Sequence, residues 1–435
     1  MRYAVAMPEA KPFPDSLWAA TATPAPEFSA LTEHVEADVA IVGGGFTGLS
    51  SALHLREFGR EVCVLEANAP GWGASGRNGG QVNPGSKVLP AELERRYGKA
   101  EADSICHTWN EATSLVFELI ERHQIDCDAV HTGYIQGAVG RRGLKYVQDW
   151  HDQWGALGAP VEMLSKAEVC GQVGTEYYDA GILDLRGGNV QPLSYCRGLA
   201  RAADKAGARI FSASPVVSIA ADGGDWRVST PGGSVKARHL VLATNGYTDH
   251  VWPKLKANVV PVKSIIVATT PLGDNTAATM LREKRHVSET LRVQAYYRLD
   301  RDNRLVFGGR GDTFGEAERF DGEHLRMQAR TMFPQLGSAP DWEFCWGGYV
   351  AMTADYTPKL LALAPNVFAG LGYNGRGVAM STLMGKHLAA CVCGERTAMP
   401  VTESAPMFMH RFYKLGVAAR VAYGRLLDRV DDARG

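Results

Sequence analysis

The residues in this sequence best placed to do chemistry are a spaced set of glycines and one carboxylate. An apolar, strand-like run at residues 38–42 breaks into Gly43-Gly44-Gly45-Phe46-Thr47-Gly48, and Glu66 ends the next apolar run. This is the G-x-G-x-x-G spacing of a dinucleotide turn. Gly43 allows the tight bend, Gly45 lets backbone N–H groups approach a pyrophosphate, and Gly48 lets helix and strand pack closely. Residues 46–58 are expected to form a helix whose N-terminal dipole faces the phosphates. Residues 61–65 then read as a second strand that delivers Glu66, with Ala67 beside it, to a ribose 2′-hydroxyl. A carboxylate there repels a 2′-phosphate, so NADP is disfavoured.

Two further glycine-rich segments suit a ligand larger than that turn alone would hold, against the plainer readings of a linker and a structural turn. Gly71-Trp72-Gly73-Ala74-Ser75-Gly76-Arg77-Asn78-Gly79-Gly80-Gln81 interleaves polar side chains with residues that lack a Cβ, which suits a backbone running beside a large planar cofactor. Gly372-Tyr373-Asn374-Gly375-Arg376-Gly377 lies between a short strand pattern and a helix pattern over residues 378–392. A helix N-terminus aimed at a flavin pyrimidine edge would stabilise the negative charge that gathers there on reduction. The run His239-Leu240-Val241-Leu242-Ala243-Thr244-Asn245-Gly246 reads as a buried strand ending in small and polar residues, as at the ligand edge of an open sheet. Tyr297, Trp346, Tyr349 and Arg376 are the pocket candidates. Aromatic walls exclude water and orient an aminoalkyl chain, and an arginine can meet a carboxylate.

The elements that must position these residues follow from periodicity. Amphipathic helices are expected at 99–123, 141–157 and 191–206, and a hairpin pivots on Asp222-Gly223-Gly224-Asp225. Between residues 258 and 344 the pattern changes to alternating β segments, read as a largely antiparallel sheet. The chain has 435 residues, 45% of them hydrophobic, and its 46 basic and 47 acidic residues are spread without long single-sign blocks. That balance suggests neither a nucleic-acid track nor a polybasic membrane patch. No window approaches the roughly 20 apolar residues of a membrane span. The first 36 residues lack the apolar core of a secretory signal and read as an arm packed on the surface. The eight cysteines follow neither a disulfide framework nor a paired zinc-site spacing, so reduced thiols, no metal and a cytoplasmic setting are expected.

Together the residues 42–55 start, the 73–81 block, the Ala243-Thr244-Asn245-Gly246-Tyr247 strand end and the 372–377 block resemble the D-amino-acid-oxidase-like FAD-dependent oxidoreductases. The gamma-glutamylputrescine oxidoreductases look nearest within that group. Ser16-Leu17-Trp18, Tyr297-Arg298, Phe307-Gly308-Gly309 and Trp346-Gly347-Gly348 extend the resemblance over nearly the whole chain. The resemblance implies FAD pyrophosphate at Gly43, Gly45 and Gly48, adenosine ribose at Glu66, and adenine at the Val216 backbone. It further implies phosphate and flavin along Ser75, Arg77, Asn78, Gly79, Gly80 and Gln81, with isoalloxazine at Gly372, Tyr373, Asn374, Gly375 and Gly377. Monomeric sarcosine oxidases, which are similar, tether flavin through a Cys and hold the substrate carboxylate with a Lys just past the turn. Here Gly348 and Ala379 stand at those places, which implies non-covalent FAD. Val306 stands near the place of their oxygen-activating Lys.

The implied fold is α/β, with a doubly wound, Rossmann-like FAD-binding domain of the glutathione-reductase type and a second, mixed-sheet substrate domain. The expected boundaries are an arm at 1–36, an FAD domain from 37–98, 187–250 and 345–435, and a substrate domain from 99–186 and 251–344. The expected activity is oxidation of the C–N bond of an amine or amino acid, such as a gamma-glutamyl amine in polyamine catabolism. Hydride would pass to flavin N5, the imine would hydrolyse, and oxygen or another acceptor would reoxidise the flavin. An NAD-dependent dehydrogenase would leave the second and third glycine blocks without a role. A flavin disulfide reductase would need a C-x-x-x-x-C soon after the first motif, which is missing. A non-catalytic FAD-binding subunit is the remaining rival.

Overall fold

A computed structural model describes residues 10–316, 318–337 and 340–433. Two large sheets organise the chain. The first has nine strands and a parallel centre in which Val367–Leu371, Ser234–Leu242, His34–Val42, Val62–Leu65 and Arg209–Phe211 lie side by side. Their near-continuous Val, Ile, Leu and Ala content suits strands covered on both faces. The register sets Val42 against both Leu65 and Leu242. Consequently Gly43, Glu66 and Ala243, which follow those three residues, emerge together at one edge. The hairpin of Ser218–Asp222 and Asp225–Ser229 joins this sheet antiparallel.

The helix Phe46–Glu57 is buried from Phe46 to Leu55 because it is sandwiched between the sheet and the helix Gly377–Val392. Small residues permit that approach. A Cβ on Gly385 would lie 2.5 Å from Ser50 Cβ, and Ser50 Oγ donates to the Thr382 carbonyl at 2.7 Å. The helix Lys99–Arg122 packs on the same layer, so Trp109, Leu115 and Leu119 share a core with Leu49 and Leu383. It therefore lies on the first sheet's side, although it falls in the stretch expected for the substrate domain.

The second sheet has eight strands in the order Trp342–Met352, Val260–Thr269, Leu305–Arg310, Tyr296–Leu299, His286–Glu289, Tyr134–Ala138, Ala180–Asp184 and Val161–Leu164. Only the pairing of His286–Glu289 with Tyr134–Ala138 is parallel. The strand Trp342–Met352 pairs along Val260–Thr269 from Thr269 to Val260, so the boundary expected at residue 345 falls inside a strand of this sheet. The first-36-residue arm also differs from its expected surface position. From Leu17–Thr21 it sends Leu17 and Trp18 into the interior at 0% and 1% exposure. The reason is the indole donor, which reaches the Asn78 carbonyl at 2.7 Å. Residues 1–9 lie outside the described residues.

Tyr297, expected as a pocket wall, belongs to the second sheet's core. Strand alternation turns it away from the first sheet, where it stacks on Phe307, meets Phe333 edge-on and shares a hydrogen bond with the Tyr178 hydroxyl. Tyr297→Phe should cost about 1–2 kcal/mol, because it strands the buried Tyr178 hydroxyl. Chemical denaturation measures this, and flavin content should stay unchanged. A loss of flavin at unaltered stability would contradict the assignment.

Candidate active site

The first turn is built by backbone proximity. Gly43 has φ +110°, and a Cβ there would lie 2.9 Å from the Ala243 carbonyl oxygen; a Cβ on Gly48 would come within 1.9 Å of the Gly43 carbonyl oxygen. No side chain fits either place. Ser75 Oγ accepts from Phe46 N at 2.9 Å, which joins the second glycine segment to the helix start. Glu66 closes the turn from the next strand: Oε2 accepts from Gly44 N at 2.7 Å and Oε1 from Asn68 N at 2.9 Å. Burial pushes its carboxyl above the usual range, and backbone N–H groups oppose that rise.

The 71–81 segment is held rigidly from several sides. Asn78 Nδ2 donates to the Ala74 and Ser75 carbonyls, and its Oδ1 accepts from Gly80 N at 2.8 Å. Arg77 lies over the Trp72 ring at 4.3 Å and pairs with Glu318 at 3.0 Å. Trp346 Nε1 donates to the Arg77 carbonyl at 3.0 Å, and Arg298 Nε donates to the Gly79 carbonyl at 2.8 Å. Trp346 is fully buried against Trp18 and does not line the cavity, so its geometry is that of a support.

In the third segment, Gly372, Asn374 and Gly375 all take positive φ. Asn374 Oδ1 accepts from Thr353 N at 2.9 Å, Asn245 Oδ1 accepts from Gly372 N at 2.9 Å, and the Tyr373 and Thr47 hydroxyls meet at 2.6 Å. The helix Gly377–Val392 starts there, and its axis begins at the cavity wall. Arg376 donates through Nη1 to the Pro84 carbonyl and stacks on Trp150 at 4.9 Å.

All three segments open on one cavity of about 1790 Å³, beyond the roughly 300–1,000 Å³ of an ordinary ligand pocket and roomy enough for a cofactor with a substrate. Gly43, Gly45, Phe46, Thr47, Glu66, Ala67, Gly73, Ala74, Ser75, Arg77, Asn78, Gly79, Gln81, Val216, Thr244, Tyr373, Asn374, Gly375, Arg376 and Gly377 line it. Gly48, Gly80 and Gly372 stand behind that surface, where their missing side chains admit other chain segments: a Cβ on Gly80 would lie 2.1 Å from the Val190 carbonyl oxygen. The set fits a flavin dinucleotide. Helix starts and tight turns present backbone at both ends, and buried polar atoms on the wall, Gln81 Nε2, Tyr247 hydroxyl and Arg376 Nε, lack a protein partner. Among the described residues, no cysteine lines the cavity; Cys345 lies off it, with Sγ toward the Phe320 carbonyl.

The opposite wall comes from the second sheet and the C-terminal helix Tyr413–Ala433. Tyr349 lines it, in edge contact with Tyr247 at 5.7 Å. Tyr296 takes the place expected of Tyr297. Its hydroxyl meets Ser264 Oγ at 2.9 Å, and its ring passes so close to Gly79 and Gly308 that a Cβ on either would clash. Ser264, Gln136, Lys87, Glu289 and the C-terminal helix also line the cavity and carried no motif in the sequence. The signal available for Tyr296 was the two-residue alternation of its strand, combined with the paired glycines at 308–309. Arg292 ties the C-terminal helix down through Asp428 at 2.7 Å and Asp431 at 2.8 Å.

Comparison with known proteins agrees with this geometry. A family model described as FAD dependent oxidoreductase (DAO) matches residues 38–391. The chain is 33% identical over 397 residues to the gamma-glutamylputrescine oxidoreductase of Escherichia coli, covering 90% of this chain and 92% of that protein. It is 32% identical over 416 residues to the probable oxidoreductase OrdL of Haemophilus influenzae, covering 93% and 94%. Among solved structures, the glycine oxidase of Geobacillus kaustophilus superposes with a TM-score of 0.71 at 24% identity, over 84% of this chain and 97% of that one. Among the described residues, no helix is long and apolar enough to cross a membrane.

Gly48→Ala should lower retained flavin roughly tenfold, the effect of about 1.4 kcal/mol in binding. Absorbance of the purified protein measures it, and full flavin retention would contradict the role of that backbone contact. A second prediction concerns Glu289, whose carboxyl burial pushes up to about 8. The folded protein thus keeps a proton that the unfolded chain loses near pH ~4.3. The linked stability is intact below that value and is lost as pH rises toward about 8. Glu289→Gln should therefore resist denaturant better than the native protein at pH 8, with the gap closing toward pH 5. A gap that does not vary with pH would refute this.

Proposed function

The chain belongs to the DAO family of FAD-dependent oxidoreductases, and from that premise we propose that it oxidises the C–N bond of an amine linked to a gamma-glutamyl group, or of a closely related amino-acid-bearing amine. The observation that supports this reading best is the single cavity. Three glycine-rich segments form one wall, and an aromatic and polar second sheet forms the other. The name of the Escherichia coli relative points to the gamma-glutamyl substrate.

When bound, FAD supplies a two-electron acceptor for the hydride on the carbon next to nitrogen, and water then hydrolyses the imine to a carbonyl compound and ammonia, or a smaller amine where the nitrogen is substituted. Gly43, Gly45 and the start of the Phe46–Glu57 helix would hold the pyrophosphate, Glu66 the ribose, and Val216 the adenine by its backbone. Ser75 to Gln81 and Tyr373 to Gly377 would hold the flavin, without a covalent link, since the cysteines lie off the cavity. The start of the Gly377–Val392 helix would direct partial positive charge toward the flavin. Tyr296, fixed by Ser264, and Tyr349, fixed against Tyr247, exclude water and hold the carbon chain. No side chain of the chain needs to act as a base, because the neutral amine itself drives hydride loss. Oxygen or another acceptor would restore the oxidised cofactor.

The test is anaerobic mixing of the yellow protein with gamma-glutamyl amines, free polyamines, N-methyl amino acids and D-amino acids. The flavin absorbance should bleach fastest with gamma-glutamylputrescine. Bleaching by none of these compounds would instead favour a non-catalytic FAD-binding subunit.

A further inference from the structure

Lys87 is a cation on the cavity wall with no ion-pair partner among the described residues. Lys87 lies in the irregular stretch between Val82 and Pro90 and lines the cavity beneath the third glycine segment; a Cβ on Gly375 would be 3.9 Å from its Nζ. Its ammonium donates to a neutral acceptor, Gln294 Oε1, at 2.8 Å. Among the described residues it forms no ion pair, and the charge that acts on it is the like charge of Arg376. Arg376 donates to the Pro84 carbonyl and stacks on the Trp150 ring, while its Nε has no protein partner. Glu289 lines the same cavity, but burial pushes its carboxyl up to about 8, so it is mostly protonated at neutral pH.

We propose that Lys87 determines specificity by receiving a carboxylate of the substrate, so that the enzyme selects amines that carry a carboxylate over equally long amines that do not. This assignment rests on the amine-oxidising reading above. Two neighbouring cations, Arg376 buried and Lys87 half-buried, destabilise each other until an anion joins them, and a carboxylate does so through charge-assisted hydrogen bonds. Burial next to Arg376 has lowered the Lys87 ammonium to about 8, the direction expected of a cation lacking its anion. The ammonium is held between the third glycine segment and the second sheet. Gln294 precedes the second-sheet strand Tyr296–Leu299, and its Nε2 donates to the Glu289 carbonyl at 3.3 Å, which fixes the acceptor in place.

The experiment is calorimetric titration of the FAD-loaded protein with two ligands that lack the reacting nitrogen: gamma-glutamyl-n-butylamide and its decarboxylated counterpart, 4-aminobutanoyl-n-butylamide. The native protein should bind the carboxylate form roughly tenfold or more tightly. Lys87→Met should bring the two affinities together, mainly by weakening the carboxylate form, and Lys87→Arg should keep most of the preference. Absence of a preference in the native protein overturns the proposal without any variant. So does a preference that survives Lys87→Met, or an equal loss for both ligands, which would mark a structural role. A shifted flavin reduction potential in Lys87→Met with the preference intact would assign the cation to the cofactor instead. If gamma-glutamylputrescine bleaches the flavin and the preference is missing, this proposal alone fails. If the Lys87-dependent preference is present without bleaching, the amine-oxidising reading fails.

Discussion

The structure depends on one close approach, the Gly43 carbonyl oxygen against the Cα of Gly48. Strand and helix can turn that tightly only because Gly48 has no side chain in the gap, and Gly43 likewise has none against the Ala243 carbonyl. The turn fixes the level at which the His34–Val42 strand ends, and the parallel register then places Glu66 and Ala243 at the same edge. A dinucleotide bound there would meet backbone and not side chains, on a surface set by strand pairing.

The second consequence is that the 71–81 segment is held from outside the first sheet. Arg298, Trp346 and Trp18 each send a donor to a carbonyl of the 77–79 stretch, and they come from the second sheet and the N-terminal arm. The same residues pack on one another, Trp18 edge-on to Trp346 and under the Arg298 guanidinium at 4.9 Å. The second sheet therefore shapes the wall built by the glycine-rich segments as well as its own. Folding of the two halves is coupled through these donors, since a buried carbonyl that lost its partner would cost about 1–3 kcal/mol.

Much of the first sheet was legible because its signals are local. The glycine spacing, the carboxylate at 66 and the 3.6-residue periodicity of the flanking helix all lie within one stretch of chain, and the helix Phe46–Glu57 and strand Val62–Leu65 appear within one residue of expectation. The Asp222–Asp225 hairpin was equally local. The substrate side was harder to read for a physical reason. Tyr296 and Tyr297 are adjacent and chemically alike, and which faces the cavity is decided by pairing with Gly308 and Phe307, information held in another strand. Trp346 carries an aromatic signature that suits a pocket or a core equally. Its role follows from the Arg77 carbonyl it must satisfy. Lys87 sits outside any periodic element, and its meaning comes from what is missing around it.

The central claim is that the three glycine-rich segments hold one FAD between the first sheet and the Tyr296 and Tyr349 wall. A crystal structure of the protein purified with its flavin tests this most directly. The account predicts the pyrophosphate at the Gly43–Phe46 turn and the isoalloxazine between the Gly375–Gly377 turn and Tyr296, with no bond from any cysteine. A flavin bound elsewhere, or joined covalently to the chain, would contradict it.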